Sequence, residues 1–230
     1  MNYRNTRRYL NCEKAIFDGT GDYEVPCIQP CDIDINGNTT FLGFNYAKTE
    51  KNPENKIVHF FLDDYQFERV WYSPDHYLSV LQRFKAVLSP DFSMYSDFPK
   101  AIQIFNHYRT QWCGAYWQEN EINVIPTIGW IDGENDSFVW DGIPKNSLIC
   151  ISTVGSFANK EYRPNWFKGY HKALEVLQPK KILFYGKLYP EIIIPDGIEY
   201  TVAVNANTQK LSEYRDAKRK AEREAKKKNH

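Results

Sequence analysis

From residue 56 onward the chain alternates two patterns. Short runs that are apolar along their whole length occupy 57–62, 86–88, 122–128, 148–152, 182–185 and 200–204. Between them lie segments whose apolar residues recur every three or four positions. The first pattern reads as strands buried on both faces, the second as helices. Ser73-Pro74-Asp75 opens a helix with proline in its first turn, followed by Leu78, Leu81 and Phe84. A long helix spans about 97–118, where Phe98, Ile102, Phe105, Tyr108, Trp112 and Ala115 form the apolar stripe. His107 falls off that stripe and is expected to face solvent. A third helix covers 165–177, with Phe167, Tyr170, Leu174 and Leu177 on one side.

Fully apolar strands alternating with helices predict an α/β fold with a mostly parallel sheet covered on both faces. Five or six βα units fit between residues 57 and 204. A closed eight-stranded barrel needs about 250 residues. The expectation is therefore an incomplete TIM-barrel-like arc or an open doubly wound sheet. Residues 1–55 read as an irregular segment packed on the core, 56–208 as the α/β core domain, and 209–230 as a separate tail. Within the first segment, Asn36-Gly37-Asn38 between Ile33/Ile35 and Phe41/Leu42 predicts a hairpin turn. Two prolines bar 25–31 from being a central strand.

The tail changes the picture of charge. The 230 residues carry a formal net charge of zero, but nine basic and four acidic residues put 210–230 at +5 and the rest at −5. Lys, Arg, Glu and Ala without an apolar stripe predict a solvated, basic helical tail. The body has no overall electrostatic footprint for nucleic acid. The tail, through Lys218, Arg219, Lys220, Lys226, Lys227 and Lys228, is the candidate nucleic-acid contact. No apolar run is long enough to span a membrane, and the basic N-terminus lacks the apolar stretch of a secretory signal. Five scattered cysteines predict free thiols in a reducing cytosol. Aromatic content is high, with 16 Tyr, 14 Phe and 6 Trp; many of these rings must pack inside, and some Tyr and Trp are candidates for a recognition surface.

Several segments carry a resemblance in order along the chain. They are Val25-Pro26-Cys27-Ile28-Gln29-Pro30, Phe61-Leu62-Asp63-Asp64-Tyr65-Gln66-Phe67-Glu68 and Leu88-Ser89-Pro90-Asp91-Phe92-Ser93. Next come Asn123-Val124-Ile125-Pro126-Thr127-Ile128-Gly129-Trp130 and Ile151-Ser152-Thr153-Val154-Gly155. Leu177-Gln178-Pro179-Lys180-Lys181-Ile182-Leu183-Phe184-Tyr185-Gly186 completes the series. Over residues 25–190 the chain resembles the domain of unknown function 4417, found in bacterial phages, prophages and mobile elements. The resemblance implies a mobile-element origin, and with it a host bacterial cytosol. It implies no activity and no catalytic residues.

Candidate chemistry gathers where the strands end, because loops converge there above a rigid sheet. Asp63, Asp64 and Asp91 each follow an apolar run and are the candidate catalytic acids. Close carboxylates hold a divalent cation or raise one another's pKa; the competing structural role is capping of helices. Ser93, Trp130, Thr153 and Tyr185 are expected at the same end as binding residues, and Arg109 as a partner for one of the acids. Cys27 and Cys31, with Cys12 upstream, have a spacing compatible with a shared metal, but no second close pair follows. The segment 132–136 lacks the glycine and the final glutamate of a calcium loop. The leading expectation is an accessory binding module for a nucleic acid or a host or phage protein. The alternative is a carboxylate hydrolase or nuclease assisted by a divalent cation.

Overall fold

The computed structural model describes residues 7–132, 137–155, 157 and 159–203. The expected strand residue Val204, the tail and most of the acidic segment 132–136 lie outside them.

An antiparallel pair, β1 (Gly19–Thr20) and β2 (Val25–Pro26), opens the fold. It turns through Gly21, whose φ of +69° suits a residue without a Cβ. Two parallel four-stranded sheets follow. β3 (Thr40–Gly43), β4 (Lys56–His59), β5 (Ala86–Leu88) and β6 (Val124–Ile125) pair in chain order. β7 (Thr127–Ile128), β8 (Leu148–Ser152), β9 (Lys181–Tyr185) and β10 (Glu199–Ala203) do the same. Neither sheet reverses its strand order, the reversal that defines a doubly wound sheet.

Pro126 is the junction between the sheets. It has no N–H for a ladder, yet its carbonyl accepts the Cys150 N–H at 2.8 Å. Ser89 bridges the interruption: its hydroxyl accepts the Thr127 N–H at 2.8 Å, and its carbonyl accepts the Thr127 hydroxyl at 2.7 Å. Both residues are buried.

The hairpin expected around Asn36-Gly37-Asn38 is not formed. The turn is local, with Asn36 Oδ1 accepting the Asn38 N–H at 3.1 Å. Phe41 and Leu42 instead pair in parallel with Ile57 and Val58 of β4. Ile35 is drawn into the core shared by the sheets rather than into a ladder. A local turn signal cannot register such a distant parallel partner.

The helices α1 (Phe44–Ala47), α2 (Arg69–Tyr72), α3 (Pro74–Leu81), α4 (Lys100–Glu119) and α5 (Arg163–Leu177) complete the frame. Alternation along the strands sorts the core into layers. Leu42, Val58, Val87 and Val124 pack with Trp71, Leu81, Trp112 and Trp117 on the helix side of the first sheet. Ile149, Ile151, Ile182 and Phe184 pack with Trp166, Tyr170 and Ala173 of α5. The opposite parity, including Phe41, Ile57, Leu88, Cys150 and Leu183, forms a third cluster common to both sheets. Among the described residues no helix is long and apolar enough to cross a membrane.

Candidate functional site

The eight strands of the two parallel sheets point the same way within each sheet, so the loops that follow them gather at their carboxyl ends. Asp63, Asp64, Asp91, Ser93 and Thr153 lie in those loops. The three acids divide. Asp63 is exposed, with the Gln66 side chain 3.4 Å from its carboxylate. Asp64 turns inward and accepts two hydrogen bonds from Ser93, one from the backbone N–H at 3.1 Å and one from the hydroxyl at 2.7 Å. Asp91 is half-buried beside Gly129. Burial, reinforced by the Asp64 charge, pushes its carboxyl up to about 7.

Ser93 is the start of a polar chain. Its carbonyl accepts the Asn106 amide at 2.6 Å, and Asn106 Oδ1 accepts the Arg109 guanidinium at 2.6 Å. The guanidinium lies over the Phe92 ring at 4.0 Å and over Phe105 at 5.2 Å. Burial lowers its pKa, while Tyr72, Cys113, Asp64 and Glu68 oppose that shift. Arg109 is therefore connected to Asp64 through Asn106 and Ser93, and among the described residues no direct ion pair joins it to an acid. Gln103 donates to the carbonyls of Tyr95 and Phe98, so three polar residues at helical spacing on α4 hold the loop after β5.

His107, expected in solvent, is buried. Its Nε2–H donates to the Asp141 carbonyl at 2.9 Å, since a carbonyl only accepts, and the ring meets Phe138 at an edge. Desolvation pushes its pKa down to about 4, so the ring is neutral at neutral pH. The physical reason is that α4 buries polar groups: Gln103, Asn106, Thr110 and Gln111 are buried alongside Trp112, whereas Ile102 and Phe105 of the expected stripe are exposed.

Three further predicted residues have packing partners. The Trp130 ring lies flat against α5 at Gly169, where an added Cβ would sit 2.2 Å from its Nε1, and it contacts Trp140 and Trp166. Thr153 is buried, its hydroxyl donating to the Lys187 carbonyl at 2.9 Å and lying 3.3 Å from the Tyr185 carbonyl. Tyr185 reaches from β9 to β4, where its hydroxyl lies 3.1 Å from His59 Nε2. Phe61 stacks on Tyr185 at 4.4 Å. Desolvation lowers the His59 pKa to about 4, leaving a neutral ring that accepts or donates one hydrogen bond at each nitrogen. His59 escaped notice in the sequence, although a histidine inside the run 57–62 was a visible signal.

The cysteines separate. Cys31 is buried in the shared core, its thiol pushed up to about 11 by burial and Asp32. Cys27 is half-buried, 3.8 Å from the Thr20 hydroxyl, and Cys12 lies beside the Leu10 carbonyl. All five cysteines are free. Among the described residues no three His, Cys, Asp or Glu side chains gather around a potential metal position.

An aromatic surface lies along the exposed side of α2 and α4. Tyr9 and Tyr72 rings meet at 5.9 Å and are 64% and 49% exposed. Phe105, packed edge-on against Trp71, and Ile102 continue the surface at 38% and 46% exposure. Arg109 lies on the same helix face one turn further on.

Comparison with known proteins places these features in a lineage. A "Gene 1 protein" of Mycobacterium phage L5 is 35% identical over 189 residues, covering 81% of this chain and 82% of that protein. A "Gene 1 protein" of Mycobacterium phage D29 is 34% identical over 209 residues, covering 87% of this chain and 74% of that protein. No solved structure matches the chain. The match to "Domain of unknown function (DUF4417)" runs over residues 17–201, from the opening hairpin into β10, and the chain belongs to that phage-associated family.

Proposed function

We propose that the chain is a phage or mobile-element accessory protein that works in the host cytoplasm as a binding module for a protein or nucleic-acid partner. The observation that carries this reading is the exposed surface of Tyr9, Tyr72, Ile102 and Phe105 beside Arg109. Aromatic rings and arginine concentrate binding energy at interfaces, and the same rings stack on unpaired bases. The +5 tail, outside the described residues, adds electrostatic attraction for phosphate. The scaffold is read as one incomplete barrel-like arc. The junction at Pro126 and the Tyr185–His59 hydrogen bond between sheets support that reading.

A second reading is a carboxylate hydrolase or nuclease, with a divalent cation as its expected helper. The observation in its favour is Asp91, whose carboxyl titrates near neutrality as a general acid–base group requires. Against it, both Asp64 oxygens are engaged by Ser93, and Asp63 faces solvent.

The test is site-specific photo-crosslinking in cells carrying the element. A photoreactive residue replaces Tyr72 in one variant and the remote, 77% exposed Ile193 in another. A reproducible adduct, protein or nucleic acid, formed from position 72 and not from 193 is the expected result. Equal labelling from both positions, or none from 72, would overturn the binding surface.

A further inference from the structure

At the opposite end of the strands lies a cleft of about 480 Å³ that the reading above leaves unused. Lys145 stands just before β8, and Val176 just before the end of α5, so both belong to the amino ends of the sheet strands. The opening hairpin supplies the facing wall, through Thr20, Cys27 and Ile28. Hydrogen bonds lock these parts together. The Gly142 N–H donates to the Thr20 hydroxyl at 2.8 Å, and Ile28 N–H donates to the Gly142 carbonyl at 2.9 Å. On the other side, Asn146 N–H donates to the Leu177 carbonyl at 2.9 Å. The cleft is thus a fixed junction of three elements, and a preformed concavity favours a small ligand.

Its lining is divided. Trp140, Ile28, Ile143 and Val176 give an apolar floor with one large ring. Lys145 and Lys172 stand at the rim on the α5 side. Lys145 is exposed, and Lys172, among the described residues, pairs with Glu175, 3.1 Å away on its own helix, the two side chains being 40% and 70% exposed. Such a pair contributes little, so its ammonium remains available to a stronger anionic partner. Asp141 also lines the cleft, but its carboxyl is tucked against Gly21 of the hairpin turn.

We propose that this cleft binds a small, flat aromatic anion, with its ring against Trp140 and the apolar floor and its acid group between Lys145 and Lys172. Stacking on the indole fixes the plane of the ligand, and the two ammonium groups select a carboxylate, sulfonate or phosphate over a neutral group. Cys27 is a half-buried thiol in the wall. A bound ligand covers it.

The experiment uses the full chain and two probes of the same shape, the anion anilinonaphthalene sulfonate and its uncharged relative phenylnaphthylamine. Affinity is read by fluorescence, and occupancy of this cleft by the rate at which iodoacetamide alkylates Cys27, with Cys12 as internal reference. With the anionic probe at about ten times its Kd, alkylation of Cys27 slows about tenfold by mass action while that of Cys12 is unchanged. The Lys145→Met/Lys172→Met variant changes two rim positions and keeps the core. It weakens the anionic probe about tenfold, the scale of a lost charge-assisted contact, and leaves the neutral probe unaffected. Unslowed Cys27 alkylation at saturation overturns the site. Equal loss for both probes, or no loss for either, overturns its selectivity for an anion.

Discussion

Neutralising Asp91 removes a carboxylate whose pKa burial and the Asp64 charge raise from 3.8 to about 7. Between those values the folded chain holds a proton that the unfolded chain has released. The stability linked to this group is therefore intact at low pH and is lost as pH rises through 7. Asp91→Asn is expected to stabilise the fold by of order 1 kcal/mol at pH 8, with a smaller gain at pH 5. His59 and His107 work in the opposite direction. Their pKa values are lowered to about 4, so their contribution is complete above 6.5 and is lost as pH falls through 4. The difference between wild type and Asp91→Asn isolates the acid from both histidines. Asp64→Asn should behave differently, because both of its oxygens accept from Ser93 and an amide offers only one acceptor. A loss of about 1–2 kcal/mol is expected at neutral pH. Denaturant unfolding of both variants at pH 5 and pH 8 checks the contrast; loss of stability in Asp91→Asn at pH 8 would show that this carboxylate is also a required acceptor.

The elements were more legible than their contacts. Most strands and helices after residue 56 follow from apolar runs and helical periods, because those patterns record burial directly, but α2 does not, and the single strand expected over 122–128 is two, divided between the sheets at Pro126. The orientation of α4 did not, because hydrogen bonding replaces hydrophobicity on one of its faces. Gln103 and Asn106 are buried to satisfy loop carbonyls, and His107 is buried against Asp141. Periodicity of apolar residues is blind to such a face. β3 was missed as a sheet member for a related reason: its partner β4 lies beyond an intervening helix, and nothing local marks a parallel ladder. At the candidate site, chain direction put Asp64, Asp91 and Ser93 at one end, but only geometry separates Asp63 from them. The seam at Pro126 offers an element-scale prediction. Ser89→Ala strands the buried Thr127 N–H, whose acceptor is the Ser89 hydroxyl. The expected cost is about 1–3 kcal/mol, read as a lower unfolding midpoint with unchanged denaturant slope. A reduced slope would show that the two sheets have begun to unfold separately.

For the whole molecule, the division of charge bears on how a partner is met. The −5 body and the +5 tail cancel, so on the proposed reading attraction to a polyanion would originate in the tail, and the aromatic surface on α2 and α4 would supply contact that salt does not screen. These contributions are separable. If the partner is single-stranded nucleic acid, truncation after Thr208 should weaken binding and flatten its dependence on salt, because fewer counterions are released. Tyr72→Ala/Phe105→Ala in the full chain should instead reduce affinity by about 1–3 kcal/mol per stacked base at every salt concentration, leaving the slope unchanged. Fluorescence anisotropy of a labelled oligonucleotide, titrated at several ionic strengths with the three proteins, measures both quantities. A truncated chain that binds as steeply as the full one would place the phosphate contacts in the body. Wild-type affinity in the aromatic variant would leave the tail as the sole contact and assign the exposed rings to a protein partner.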